Sequence, residues 1–241
     1  MTEKQVTIGI NRTGAQMSPQ DTRQQLEATR LFPADVPGDA SAFTRAREQY
    51  NLDADRVGSV PIPGSAKGML KTTFDKALGK NPEVLLDKLG ERLAFERTGV
   101  RLYEAVIAKA TSATGARPAL LDTLREIQAQ ELEHMNILRE AIETLGGDPT
   151  TMTPCADVAG VKALGVLQVL TDPRTTLAQA MGAILTVELE DNAAWELLIE
   201  LAQKGGHPLI AKGFARALEQ EEMHLARIRE AVRQDLLEQV S

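Results

Sequence analysis

Residues 118–145 read PALLDTLREIQAQELEHMNILREAIETL, and this stretch decides the fold. Leu121, Leu124, Ile127, Leu138 and Leu145 recur at helical spacing, the stripe of an amphipathic helix. Two polar residues fall on that stripe. Glu131 follows Leu124 and Ile127 by seven and four positions, and His134 comes three later, four before Leu138. Side chains at these offsets share one helix face, so Glu131-x-x-His134 points inward. Residues 208–232, PLIAKGFARALEQEEMHLARIREAV, repeat the arrangement. There Glu221 follows Phe214 and Leu218, and His224 precedes Ile228.

Working outward, four long segments each open with a proline, at Asn81-Pro82, Arg117-Pro118, Asp172-Pro173 and His207-Pro208. Proline suits the first helical position, where its missing N–H has no partner to lose. Asn81 and Asp172 are good N-cap types. The first three segments close at Thr114-Gly115, Gly146-Gly147 and Gly205-Gly206, and the fourth runs to the end of the sequence. Each helix would be roughly 42–48 Å long. The first carries Leu89, Leu93, Val100, Tyr103 and Ile107 on its stripe; the third carries Leu177, Met181, Ile184, Leu185, Trp195 and Leu198. Two connections are short and make antiparallel neighbours. The middle one, 148–171, is long, and its VAGVKALGVLQVL piece predicts a short helix. Short–long–short is the connectivity of an all-α four-helix bundle with one crossover.

The first and third helices each place one carboxylate on the stripe, Glu96 between Leu93 and Val100, and Glu188 between Ile184 and Trp195. Glu133 and Glu190 lie about 200° round from inward acids and should face solvent, while Glu104 and Glu222, about 100° round, are weaker candidates. The halves repeat: Glu96 to Glu131 spans 35 residues and Glu188 to Glu221 spans 33, with Tyr103 and Trp195 each seven after the first acid. Burying such groups without partners is prohibitive. Two divalent cations balance four glutamates, and each imidazole completes one coordination sphere. Oxygen and nitrogen donors suit iron or manganese, with zinc the further choice. The third histidine, His207, sits at a helix start, outside this pattern.

Composition bounds the rest. The net charge is −7, so no electrostatic footprint for nucleic acid is visible. Cys155 is the only cysteine and reads as an ordinary loop thiol, which excludes an intrachain disulfide or a four-cysteine iron centre. MTEKQVTIGINRTG lacks the apolar run of a signal peptide, and no uninterrupted apolar stretch reaches membrane-spanning length. No membrane partner and a cytoplasmic location are therefore expected. Residues 1–80 read as an irregular extension with short helices at 21–30 and 41–50 and an extended GSVPIPGS at 58–65; residues 81–241 form the bundle.

This pattern resembles the ferritin-like di-iron carboxylate proteins, which use one Glu from each of two helices and Glu-x-x-His from the other two. The resemblance implies two bound ions, most often iron, with manganese as the alternative, held by Glu96, Glu131, His134, Glu188, Glu221 and His224. Tyr103 matches a tyrosine that ferritins and rubrerythrins place beside the site. Within that superfamily the chain looks closest to rubrerythrin-like proteins, whose extra carboxylate stands where Asp191 follows Glu188 by three. The resemblance implies redox activity toward hydrogen peroxide or dioxygen, with Tyr103, Asp191 and Trp195 as catalytic candidates. The cysteines of a rubredoxin domain are missing, so electrons would come from a separate donor protein. A homo-oligomer, a dimer or larger, is expected. The alternatives are a ferroxidase or iron-storage role, an oxygenase acting on an organic substrate, and a bundle in which the metals are structural.

Overall fold

The computed structural model describes residues 18–35, 38–62, 81–113 and 117–240. Among these it is all-α, with seven helices. The chain divides into two compact units at Asp55/Arg56. The first contains α1 (Pro19–Leu31) and α2 (Ser41–Asp53), the two short helices the sequence predicts, neither with a buried residue. The glycine stop at Gly115, residues 63–80 and the N-terminal MTEKQVTIGINRTG lie outside the described residues.

The second unit carries α3 (Pro82–Ser112), α4 (Pro118–Thr144), α5 (Pro154–Thr171), α6 (Leu177–Lys204) and α7 (Pro208–Val240). Proline begins α3, α4 and α7 as read from sequence. The side chain of Asn81 makes no capping hydrogen bond, so the fixed backbone of Pro82 starts that helix unaided. Gly146 and Gly206 adopt φ of 87° and 82°, the left-handed conformation that ends a helix at low cost.

Two expectations change. The third long helix begins at Leu177, not at Pro173. Thr176 caps it by accepting from the Gln179 N–H, while the Gln179 side chain accepts from the Thr176 N–H. This capping box satisfies two backbone donors at once. Asp172 is otherwise engaged: its carboxylate accepts from the Arg174 backbone and guanidinium, and its carbonyl accepts from Lys109 Nζ. The crossover is also more regular than a loop with a short helix. Its α5 runs 18 residues and is capped by Thr153. Cys155 therefore sits half-buried in the first turn of a helix, its backbone N–H donating to Asp87 on α3. Thr153 nests over Gly90 of α3, where any Cβ would overlap its hydroxyl. Among the described residues α5 is the one helix whose length and average composition would allow a membrane crossing, although Asp157 and Lys162 interrupt it.

Helix α3 packs on α4 and α6, and α7 packs on α4 and α6, while α5 lies along α3 and also touches α6. Two apolar clusters reveal the directions. One gathers Leu85, Leu89, Leu138, Trp195, Leu198 and Phe214. It joins the N-terminal halves of α3 and α7 to the C-terminal halves of α4 and α6. The other gathers Val106, Leu124, Ile127, Ile184 and Ile228 from the opposite halves. Each long helix is thus antiparallel to both of its long neighbours. On every one of the four, the inward polar residues fall between the two clusters.

Candidate metal centre

The layer between those clusters contains Glu96 on α3, Glu131 and His134 on α4, Glu188 and Asp191 on α6, and Glu221 and His224 on α7, all buried. These are the six residues predicted as ligands plus the extra acid. The displaced acids behave as their phase requires: Glu104, Glu133 and Glu222 are exposed, and half-buried Glu190 pairs with Lys162 of α5. His207 lies in the turn before α7, away from this layer.

Three overlapping sets of donor atoms lie within 4.8 Å of one another: Glu131, Glu188, Glu221 and His224; Glu96, His134 and Glu221; and Glu96, Glu131, Asp191 and Glu221. Glu221 belongs to all three.

Each histidine is oriented by the helix opposite. His134 Nε2 lies 2.9 Å from Gln220 Oε1, and His224 Nε2 lies 2.6 Å from Gln130 Oε1. Because a glutamine oxygen only accepts, each Nε2 carries the proton and each Nδ1 is left with its lone pair. Those Nδ1 atoms face carboxylates. His134 Nδ1 stands 2.6 Å from Glu221 Oε1, and His224 Nδ1 stands 3.2 Å from Glu221 Oε2 and 3.6 Å from Glu131 Oε1. Two acceptors at that range need a proton or a cation between them. The signature of this arrangement is Gln-Glu-x-x-His, present twice at 130–134 and 220–224. The glutamines carry no ionisable group, so nothing in the sequence alone sets Gln130 and Gln220 apart.

Arg92 was also missed. It is 2% exposed, with Nε 3.0 Å from Glu96 Oε1 and an Nη 3.0 Å from Asp191 Oδ1. Its guanidinium also lies over the Phe95 ring at 3.7 Å. Its position four before Glu96, on the same stripe as Leu89, was the available signal. Tyr103 donates its hydroxyl to Glu188. Trp195 does not hydrogen-bond a carboxylate: its Nε1 has no hydrogen-bond partner, and its ring instead meets His134 edge-on at 5.6 Å and Phe214 at 5.3 Å. Asn192 donates to the carbonyls of Glu188 and Glu221, tying α6 to α7 at the level of the layer.

Without a cation the layer is electrostatically unhappy. Burial raises the carboxyls of Glu96, Glu131 and Glu221 well above the usual range, and neighbouring acids add to this. Burial likewise pushes Glu188 up to about 8. Asp191 is raised by burial, with Arg92 opposing. Burial, followed by His134 and Arg227, brings His224 down to about 3. Glu96 Oε2, both oxygens of Glu131 and of Asp191, His134 Nδ1, Glu188 Oε2 and Glu221 Oε1 all lack a hydrogen-bond partner. An unsatisfied buried polar atom costs about 1–3 kcal/mol, and so many at one point form a group that could hold a metal ion. The donor set fits: oxygens and imidazole nitrogens without thiolate, as iron, manganese or zinc accept. Comparison with family models, with curated proteins and with solved structures finds no match to this chain.

Proposed function

We propose that this chain is a ferritin-like di-metal carboxylate protein, holding two iron or manganese ions and acting on hydrogen peroxide or dioxygen as rubrerythrin-like proteins do. The observation that carries this reading is the convergence of Glu96, Glu131, Glu188 and Glu221 with two inward Nδ1 atoms in one buried layer of orphaned donors. The mutually antiparallel arrangement of α3, α4, α6 and α7, with a long crossover after the second, supports the ferritin-like bundle.

Iron bound there supplies one-electron redox chemistry, two electrons per pair, which matches the need of a peroxide. The side chains supply the rest. Glu131, Glu188, Glu221 and His224 would hold one ion, and Glu96 and His134 the other, with Glu221 shared. Gln130 and Gln220 keep both imidazoles in the coordinating tautomer. Tyr103 holds Glu188 in place by its hydroxyl. The two apolar clusters shield the layer from bulk water on both sides. A surface hollow of about 30 Å³ with Arg92 in its wall admits only the smallest molecules. Neither this hollow nor the cleft of about 830 Å³ lined by Lys109, Arg117, Thr176 and Asp235 touches any of the six predicted ligands, so neither offers an organic substrate a way to them.

The test is anaerobic loading with ferrous iron, metal analysis, and stopped-flow mixing with peroxide and with oxygen. Two equivalents per chain and oxidation faster than that of free ferrous iron are expected. Less than one equivalent of any transition metal after reconstitution refutes the metal reading. Two equivalents with oxidation no faster than free ferrous iron refutes the redox reading alone.

A further inference from the structure

The layer holds five carboxylates, yet two divalent cations balance only four. Arg92 resolves the mismatch: five carboxylates against one guanidinium leave a net charge of −4, the imidazoles counting as neutral when they ligate a metal. The guanidinium is buried and reaches two of the acids, Glu96 from its own helix and Asp191 from α6. Arg92 is the ion-pair partner of Asp191 and the foremost group opposing the effect of its burial.

We propose that Arg92 is a positioning residue that keeps Asp191 out of the coordination sphere, so that the pair acts as a neutral strut and Glu96, Glu131, Glu188 and Glu221 alone neutralise two divalent ions. This rests on the di-metal reading above and deepens it. Three features support it. First, the pair is placed asymmetrically. The position four before Glu188, equivalent to Arg92, is Ile184, and the position three after Glu96, equivalent to Asp191, is Gly99. The repeat therefore lacks both members in one copy each, and the two that are present meet across the α3–α6 contact. Second, Arg92 is held from a further side by the face of Phe95, which fixes the guanidinium plane. Third, a charged group buried this deeply is tolerated only when paired, and Arg92 is only 2% exposed.

The alternative is that Asp191 is itself a ligand, as its membership of one donor set permits. The two assignments part on a charge-rescue experiment read with manganese(II), in which free ion is followed by electron paramagnetic resonance. Asp191→Asn leaves Arg92 unbalanced beside Glu96 and should loosen the second manganese at least tenfold. Adding Arg92→Met, of similar length and no charge, restores the net −4. The double variant should bind two equivalents within threefold of wild type and should unfold, metal-free, at or above the wild-type midpoint. A double variant still tenfold looser overturns the strut and makes Asp191 a ligand. If Asp191→Asn alone fails to fold, judged by circular dichroism, the comparison of wild type with the double variant decides by itself. A wild-type chain that takes up no manganese and no iron sinks the di-metal reading and this assignment with it. Wild-type loading without rescue sinks only the assignment.

Discussion

Stripping the metals and raising the pH from 6.5 to 8 should destabilise the chain, and reloading it should remove or reverse the trend. The sign follows from proton linkage. Glu188 in the metal-free folded chain is pushed up to about 8, while in the unfolded chain it ionises near its ordinary 4.5. A group raised in this way contributes stability that is complete below the unfolded value and is lost as the pH climbs through the folded one. Across 6.5–8 the folded chain keeps a proton the unfolded chain has released, so stability falls by about 1.4 kcal/mol per pH unit per retained proton. Glu188 alone thus costs roughly 1–2 kcal/mol over the window, and Glu96, Glu131 and Glu221 shift the same way. His224 opposes the trend only weakly: with a folded value of about 3 its ring is neutral in the folded chain, while the unfolded ring, half charged at pH 6.5, sheds its proton over the window and adds back about 0.4 kcal/mol. At about 2–4 °C per kcal/mol for a unit of this size, the metal-free midpoint should drop by several degrees between pH 6.5 and 8. Bound cations replace those protons, so the loaded chain should be flat or rising over the same range. Calorimetry of both forms in matched buffers is the assay. A metal-free midpoint that stays level or climbs, or two forms that run parallel, would refute the claim that these acids share a water-excluded layer.

Glu131→Ala should lower metal content below two equivalents, whereas Glu133→Ala, two residues on and exposed, should leave it unchanged; elemental analysis of both proteins checks this. Gly99→Ala places a methyl where the Glu131 carboxylate now lies. Because a flexible side chain can yield and alanine favours helix by about 1 kcal/mol, the metal-free chain should be no less stable, while metal affinity falls at least about tenfold. Equal affinity in a titration would show that Glu131 does not need that position. Gln130→Ala and Gln220→Ala should each weaken metal binding about 10–100-fold through the loss of imidazole orientation. Nitrogen NMR of the metal-free protein should show the affected ring sampling both tautomers; an unchanged spectrum would count against the glutamines.

The helices were legible because helical phase is a strictly local property. Glu131 and His134, or Glu188 against Glu190, are sorted by angle alone, and burial in the folded chain follows that angle. What was illegible depends on competition or on distance. Asp172-Pro173 has the chemistry of a helix start, but Thr176 and Gln179 offer two reciprocal bonds where Asp172 offers one, and Arg174 already occupies its carboxylate. Arg92 on a stripe reads as a residue whose long stem reaches for solvent; only the arrival of Asp191 from another helix makes its burial tolerable. Gln130 and Gln220 show no special phase, because each serves a histidine on a helix about 90 residues away in sequence.

Those long-range residues also explain why a repeated motif need not yield two equal sites. The repeat places Glu and Glu-x-x-His twice, and the glutamines obey the same symmetry by crossing between α4 and α7. The symmetry fails one helical turn from the first acid of each pair. After Glu96 stands Gly99, which gives the Glu131 carboxylate room to lean; after Glu188 stands Asp191, where no such room exists. Tyr103 donates to Glu188, while Trp195, its counterpart, offers no hydrogen bond to a carboxylate and packs on His134. Under the proposed di-metal reading, one cation would be enclosed by Glu131, Glu188, Glu221 and His224, with a phenol steadying one carboxylate, and the other, around Glu96 and His134, would border a guanidinium. Arg92 pairs with Glu96 as well as with Asp191, so a donor at one position is shared with a guanidinium and none at the other is, which should separate their affinities. Sequential loading, with the ion nearest Glu96 bound last and lost first, is the direct consequence of that geometry. Equal and independent binding of the two ions in a manganese titration would contradict it.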